Sequence, residues 1–338
     1  MRVFLFALVC SVLFASASSA GLPDPTHDSR IDTANRLLIS QEYVKSAQLL
    51  RAALRENPRN LKAAYLLLAV KQTEILDYES YVIHGYAFCA LADSLLYTLR
   101  SELPHQRGRD SLECLFFIAY TLGGKGVIQA KLGDWWPAIR NAYKSIALLN
   151  ALQATDSSLV ATYLATGVYK YYLSQNLKWL PFFGDHTQEG IREIRIATQS
   201  PFPFDIAAKN ALCWIYIENG RYREADSICT TVLAQYPENT VFMRISASTA
   251  MWTRKWTQAA GRAKPLLKLS EGRSPVNWSD LLTAYWILAS AYRGLHLSVE
   301  CRAIAQKGLD LKVPGAYRRI SYVQENLRNL AEIRAVYP

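Results

Sequence analysis

The stretch Leu212–Asn239, LCWIYIENGRYREADSICTTVLAQYPEN, decides how the rest of the chain is read. Its apolar residues recur at helical spacing on either side of Gly220, which predicts two helices meeting at a tight turn. Tyr222 follows the turn, Ala225 lies in the second helix, and Pro237 ends it. The unit is repeated: Cys213, Tyr222, Ala225, Cys229 and Val232 recur 34 residues later as Ala247, Trp256, Ala259, Ala263 and Leu266. A fixed period of this length describes a helical repeat array. Helical periodicity runs nearly everywhere, and no credible alternating strand appears.

A second spacing carries the packing. A small residue on the first helix is followed twelve residues later by a small residue on the second: Ala34/Ser46, Gly126/Ala138, Cys213/Ala225, Ala247/Ala259 and Ala289/Cys301. Small side chains let two antiparallel helix axes approach closely, and a leucine there would overpack the contact. Seven residues further on, Ala53, Ser145, Val232, Leu266 and Gly308 mark where the next repeat docks. The predicted helix turns lie near Gly133, Gly220, Arg254 and His296.

The 34-residue period and the placement of Gly220, Tyr222, Ala225 and Pro237 resemble the tetratricopeptide repeat family. Clear repeats cover about 27–60, 119–152, 206–239, 240–273 and 282–315, with irregular ones at 61–103 and 160–203. In 160–203, Gly167 pairs with Gly190 at a spacing of 23, so eleven residues are inserted at the turn. Residues 316–336 read as a polar capping helix. The resemblance implies an all-α solenoid, a right-handed superhelix formed by 21–338 as one domain. It also implies a concave groove lined by first helices. By that resemblance the groove residues are Asn210 and Trp214, then Arg244, Ser248 and Trp252, then Trp286, Ser290 and Arg293, with Tyr171 and Tyr172 further up. Tryptophan and arginine dominate interface energetics, although each Trp is equally explained by packing between repeats. Trp and hydroxyl residues stand where the family's carboxylate-binding set uses Lys and Asn, so terminal-carboxylate recognition of that kind is not expected.

The first twenty residues read as an export signal. Arg2 precedes an apolar run from Val3 to Phe14, and small residues lead to Ala20, the expected cleavage point. The run is shorter than the roughly 20 residues a spanning helix needs. No second stretch reads as apolar and charge-free enough to span a bilayer. The mature chain is expected to be exported, most plausibly to a periplasm. Removing the signal leaves Cys89, Cys114, Cys213, Cys229 and Cys301, an odd number inside apolar helical patterns. Buried thiols are the expectation for Cys301, and two packed thiols are favoured over a disulfide for Cys213 and Cys229.

The 338 residues are 51% hydrophobic and 20% charged, which excludes disorder, and 13 Pro with 16 Gly exclude a collagen-like fibre. Catalytic signatures are missing. None of the five His pairs with another His or Cys at metal-ligand spacing, there is no HExxH or CxxC, and Gly123-Gly124-Lys125-Gly126 follows no strand. No enzyme, cofactor or metal is expected. The insertion Leu177–His186 carries Trp179, Phe182 and Phe183. These either protrude as a contact loop or fold back into the gap left by the irregular repeat, the second being favoured.

Charge is uneven. Residues 21–243 hold 22 basic and 22 acidic residues, whereas 244–338 hold 15 and 6. Arg262, Lys264, Lys268, Arg302 and Lys307 on second helices, with Arg318 and Arg319 on the cap, form a candidate basic flank. Export and the missing nucleic-acid modules argue against nucleic acid. The expected function is a non-catalytic scaffold binding a protein or extended peptide. One alternative is docking of the basic flank on anionic lipid or cell-wall polymer, and another is a structural subunit of an envelope assembly with an apolar outer patch.

Overall fold

A computed structural model describes residues 29–177, 184–200 and 202–336, so the export signal read at 1–20 lies outside the described residues. The chain runs α1 (Ser29–Ile39), α2 (Tyr43–Glu56), α3 (Leu61–Asp77), α4 (Tyr81–Glu102), a 3₁₀ turn (Leu103–His105), α5 (Gly108–Leu132), α6 (Trp135–Thr155), α7 (Thr162–Leu177) and α8 (Thr187–Ala197). It continues through α9 (Phe204–Glu218), α10 (Tyr222–Gln235), α11 (Thr240–Trp252), α12 (Trp256–Gly272), α13 (Trp278–Gly294), α14 (Ser298–Leu309), the short α15 (Gly315–Arg318) and α16 (Ser321–Val336). No strand occurs among the described residues. Among the described residues the fold is all-α and built from successive helix pairs joined by tight turns.

The four predicted turns fall on residues in the left-handed region. Gly133, Gly220, Arg254 and His296 have φ of 89°, 69°, 57° and 59°, and Gln41 at 61° makes a fifth. Each turn closes with the same two bonds. His296 N donates to Arg293 O and Leu297 N to Tyr292 O, and the same pattern links Arg254 and Lys255 to Met251 and Ala250. This paired closure satisfies the last carbonyls of the first helix and reverses the chain within two residues. Glycine takes the left-handed conformation freely, whereas Arg254 and His296 hold it against the clash of their own Cβ.

The twelve-residue spacing marks where the helices of a pair touch. Ala34, Ser46, Cys213, Ala225, Ala247, Ala259, Ala289 and Cys301 are all buried. Three of the pairs add a bond from side chain to backbone: Ser46 Oγ to Ala34 O at 2.7 Å, Cys301 Sγ to Ala289 O at 3.3 Å and Cys213 Sγ to Ala225 O at 3.6 Å. At Gly126 an added Cβ would stand 3.1 Å from Ala138 O. The small residues therefore set the interaxial distance, and the polar ones fix its register. Cys213 and Cys229 are buried free thiols with sulfurs 3.9 Å apart, and Cys301 is also a buried free thiol.

The chain divides into two compact units, Met1–Leu76 with His84–Leu212, and Asp77–Ile83 with Cys213–Pro338. The first unit is centred on aromatic residues. Tyr65 stacks on Phe117 at 4.7 Å, while Phe116 and Tyr120 meet Phe204 edge-on at 5.7 and 5.6 Å. Despite the inserted turn, α7 and α8 pair closely. A Cβ on Gly167 would lie 2.7 Å from Gly190 O, and one on Gly190 would lie 2.6 Å from Gly167 O. Two long stretches, Tyr81–His105 and Gly108–Leu132, are apolar enough by length and composition to cross a membrane, which corrects the sequence reading. Each carries at most two charged residues within its most apolar eighteen. More than half of the second stretch is buried within the protein, as in the core helix of a helical array.

In the second unit, α11 packs on α12, α13 on α12 and α14, and α16 on both α13 and α14. The final helix buries Val323, Leu330 and Ile333 while Arg328 is exposed. Its seat is shaped by Gly308, where a Cβ would come within 2.8 Å of the Leu330 side chain.

Candidate functional site

The first helices of the second unit, α11 and α13, begin with the same device. Asn239 and Asn277 are their N-caps, and each side-chain oxygen accepts a backbone N–H three residues on, from Phe242 at 3.3 Å and Asp280 at 3.1 Å. A cap of this kind satisfies one of the otherwise orphaned donors at a helix start. Fixing the oxygen of Asn277 on its own helix also fixes its amide nitrogen. That Nδ2 donates to the main-chain oxygen of Asp77 at 3.1 Å and lies 3.4 Å from the Asp77 carboxylate. Arg273, just before α13, brings its Nη1 within 3.6 Å of the same carboxylate, and its guanidinium lies 5.8 Å from the centre of the Tyr78 ring. The segment Asp77–Ile83 thus meets donors at the positive end of a 17-residue helix.

Beneath it lies a buried ion pair. Asp280 is 0% exposed and accepts from Arg244 Nη1 at 2.5 Å, Thr240 Oγ1 at 2.5 Å and Asn277 Nδ2 at 3.1 Å. Burial disfavours the charge on Arg244, but Asp280 together with Tyr322, Asp77 and Glu79 outweighs it and holds the guanidinium above its ordinary pKa. Arg244 Nε has no hydrogen-bond partner. The network extends to the cap helix, where Asn326 Nδ2 donates to Thr283 Oγ1 at 3.0 Å and burial raises the Tyr322 hydroxyl. Asp77, Tyr78, Glu79 and Ser80 are themselves buried, and Glu79 adopts a φ of 50°.

The residues assigned to a groove separate into two groups. Arg244, Ser248 and Ser290 are buried, and Trp214 and Trp286 are half-buried, Trp286 against the core of the second unit. Trp252 and Arg293 reach solvent, with the Trp252 ring 5.8 Å from that of Tyr222. In the first unit Asn210 is buried with its Oδ1 unpartnered. Tyr171 and Tyr172 are buried and packed edge-on against each other at 4.9 Å, so they fill the interior there and do not line an open face. The contact-loop residues Trp179, Phe182 and Phe183 lie outside the described residues.

The basic set separates likewise. Lys264, Lys268, Arg302, Lys307, Arg318 and Arg319 are exposed. Lys264 lies 5.9 Å from the centre of the Tyr292 ring, and Arg318 Nε donates to Val313 O at 3.1 Å. Arg262 is only partly exposed and already spoken for: both terminal nitrogens hold Asp226, at 2.6 and 3.1 Å, and one also donates to Ser246 O. On α6, Trp135, Trp136, Ile139 and Tyr143 are exposed. Among the described residues, no three His, Cys, Asp or Glu side chains gather as a metal site.

The sequence carried a signal for part of this site. Asn277 and Asp280 frame a helix start, with a cap followed three residues later by a carboxylate. The partnership with Asp77, two hundred positions earlier, leaves no local pattern.

No family profile matches the chain, and no curated protein matches it. Among solved structures, the chain is similar to a tetratricopeptide repeat protein from Parabacteroides merdae, at 13% identity and a TM-score of 0.40, with 90% of this chain and 98% of that chain covered. It is also similar to the P58(IPK) TPR domain, at 13% identity and a TM-score of 0.28, with 91% and 98% covered.

Proposed function

We propose that the protein is an exported, non-catalytic scaffold whose first-helix face in the second unit binds a segment of another polypeptide. The observation that carries this reading is the grip of Asn277 and Arg273 on Asp77, through one main-chain carbonyl and one carboxylate. A face that holds main-chain oxygen and side-chain charge together has the means to hold an extended peptide. Trp252 and Arg293 offer exposed anchors on neighbouring first helices of the same unit. Export rests on Arg2 and the apolar run to Ala20.

Replacing Trp252 with a photoreactive residue tests the reading in the native cell. Adducts containing a defined polypeptide support it, and adducts with lipid or polymer alone overturn it.

Two other readings each have one observation behind them. The exposed Lys264, Lys268, Arg302 and Lys307 on α12 and α14 favour docking on anionic lipid or cell-wall polymer. Attachment would then fall steeply with ionic strength. The exposed side of α6, where Trp136 is 81% and Tyr143 69% exposed, favours a structural contact in an envelope assembly. A crosslinker placed at Trp136 would then capture a fixed neighbour while one at Trp252 captured none.

A further inference from the structure

We infer that Asp77–Ile83 is an internal stand-in for the partner, and that the first-helix face of the second unit recognises an acidic, tyrosine-bearing protein segment that competes with it. The inference rests on the peptide-binding reading above and narrows it to one class of partner.

Three features of the segment point to occupancy of a recognition face. Its bonds match those a foreign peptide would need: a main-chain carbonyl taken by Asn277, a carboxylate facing Arg273, and a tyrosine ring beside the same guanidinium. Its residues are inserted and not laid on the surface, since Asp77, Tyr78, Glu79 and Ser80 are each less than a tenth exposed. The face beneath it is charged: Arg244 keeps an unpartnered Nε although Asp280 already neutralises it. A plain interior turn is cheaper with apolar residues against an apolar floor. Here Asp77 is buried against Arg273 and a helix N-terminus, and the buried Glu79 supports the charge on Arg244, so the chemistry selects for negative charge on an incoming segment.

Held in the same chain, the segment competes at an effective concentration on the order of millimolar, so a free peptide meets a closed face until the internal copy is weakened. The test uses the full-length protein and a fluorescein-labelled peptide of the sequence Ile75–His84, read by anisotropy. The variant Asp77→Ala/Glu79→Gly removes both carboxylates from the internal copy and relieves the backbone at position 79. Its affinity for the labelled peptide should exceed that of the unaltered protein at least tenfold. Adding Arg273→Ala to that variant should reverse the gain, and a peptide with Asn and Gln in place of its acids should not bind.

A folded variant that binds no better than the unaltered protein would overturn the inference, as would equal binding of a scrambled acidic peptide. Should the variant fail to fold, the unaltered protein is titrated with millimolar peptide and followed by hydrogen exchange. The amides of 78–82 should then exchange at least tenfold faster, and an unchanged rate overturns the inference. A defined polypeptide adduct at Trp252, with the acidic peptide inert in every arm, would leave the scaffold standing and remove only this choice of partner.

Discussion

Replacing Asp280 with alanine should be among the most destabilising single changes in the second unit. The carboxylate is fully buried and takes bonds from Arg244, Thr240 and Asn277, with Arg273 a further 3.9 Å away. Its removal strands the Arg244 guanidinium in the interior, where one nitrogen already lacks a partner. Breaking a buried pair from one side costs about 3–5 kcal/mol. Loss of a carboxylate from the first turn of α13 adds about 0.3–1 kcal/mol. The expected total is therefore on the order of 4 kcal/mol. Removing both charges, as Arg244→Met with Asp280→Ala, should recover most of this loss, because neither desolvation penalty remains. The difference would appear as a coupling energy of about 3 kcal/mol in a double-mutant cycle. Urea unfolding followed by far-ultraviolet circular dichroism and tryptophan emission supplies the four free energies. If Asp280→Ala costs less than about 1 kcal/mol, or the double variant is as damaged as the single, Asp280 is not what neutralises Arg244.

Further predictions follow from the packing. Ala225→Leu or Ala259→Leu should each destabilise by about 1–3 kcal/mol, because both positions are fully buried at helix crossings; unchanged melting temperatures in both would contradict the register. Gly220→Ala should cost about 1 kcal/mol at its φ of 69°, whereas His296→Gly should stabilise by about 0.5 kcal/mol once the flexibility gained by the unfolded chain is subtracted. Bonds from Lys170 and His186 hold Glu189 below its ordinary carboxylate pKa of 4.5. A lowered folded-state pKa means stabilisation that is present above 4.5 and lost as pH falls through the folded value. Acid unfolding of the first unit should therefore be less steep in Glu189→Gln. Reversing Lys264, Lys268 and Arg302 to Glu should weaken sedimentation with anionic vesicles at low salt if the flank docks on charge, and an unaltered pellet would reduce it to a solvated surface.

Most of the fold was legible because its constraints are local and repeated. The twelve-residue pairs had to be small, since two helix axes meet there, and the turns at Gly133, Gly220, Arg254 and His296 had to reverse the chain at fixed positions. Even the irregular pair announced itself through Gly167 and Gly190, which no side chain could replace at that distance. The site was less legible. Periodicity places Arg244 and Ser248 on the inward side of α11, but it cannot say whether that side faces water or a piece of the same chain. The deciding contact, Asn277 to Asp77, joins residues two hundred positions apart. Likewise, a lysine or arginine on a second helix reads as surface charge until an acid such as Asp226 is found beside Arg262.

The most direct measurement is hydrogen exchange across residues 77–83 in the unaltered protein and in Asn277→Asp. Aspartate caps a helix as well as asparagine does, so α13 keeps its start. It loses the amide that bonds both Asp77 and Asp280 and sets a further carboxylate against theirs. In the unaltered protein, the amides of 78–82 should be protected to the level of α11 and α13, and in Asn277→Asp they should exchange at least tenfold faster, a larger change than in those helices, where Asp280 also loses a donor. Rapid exchange in the unaltered protein, matching the exposed turn at 295–297, or a rate indifferent to the substitution, would contradict the claim that the first-helix face of the second unit holds this segment.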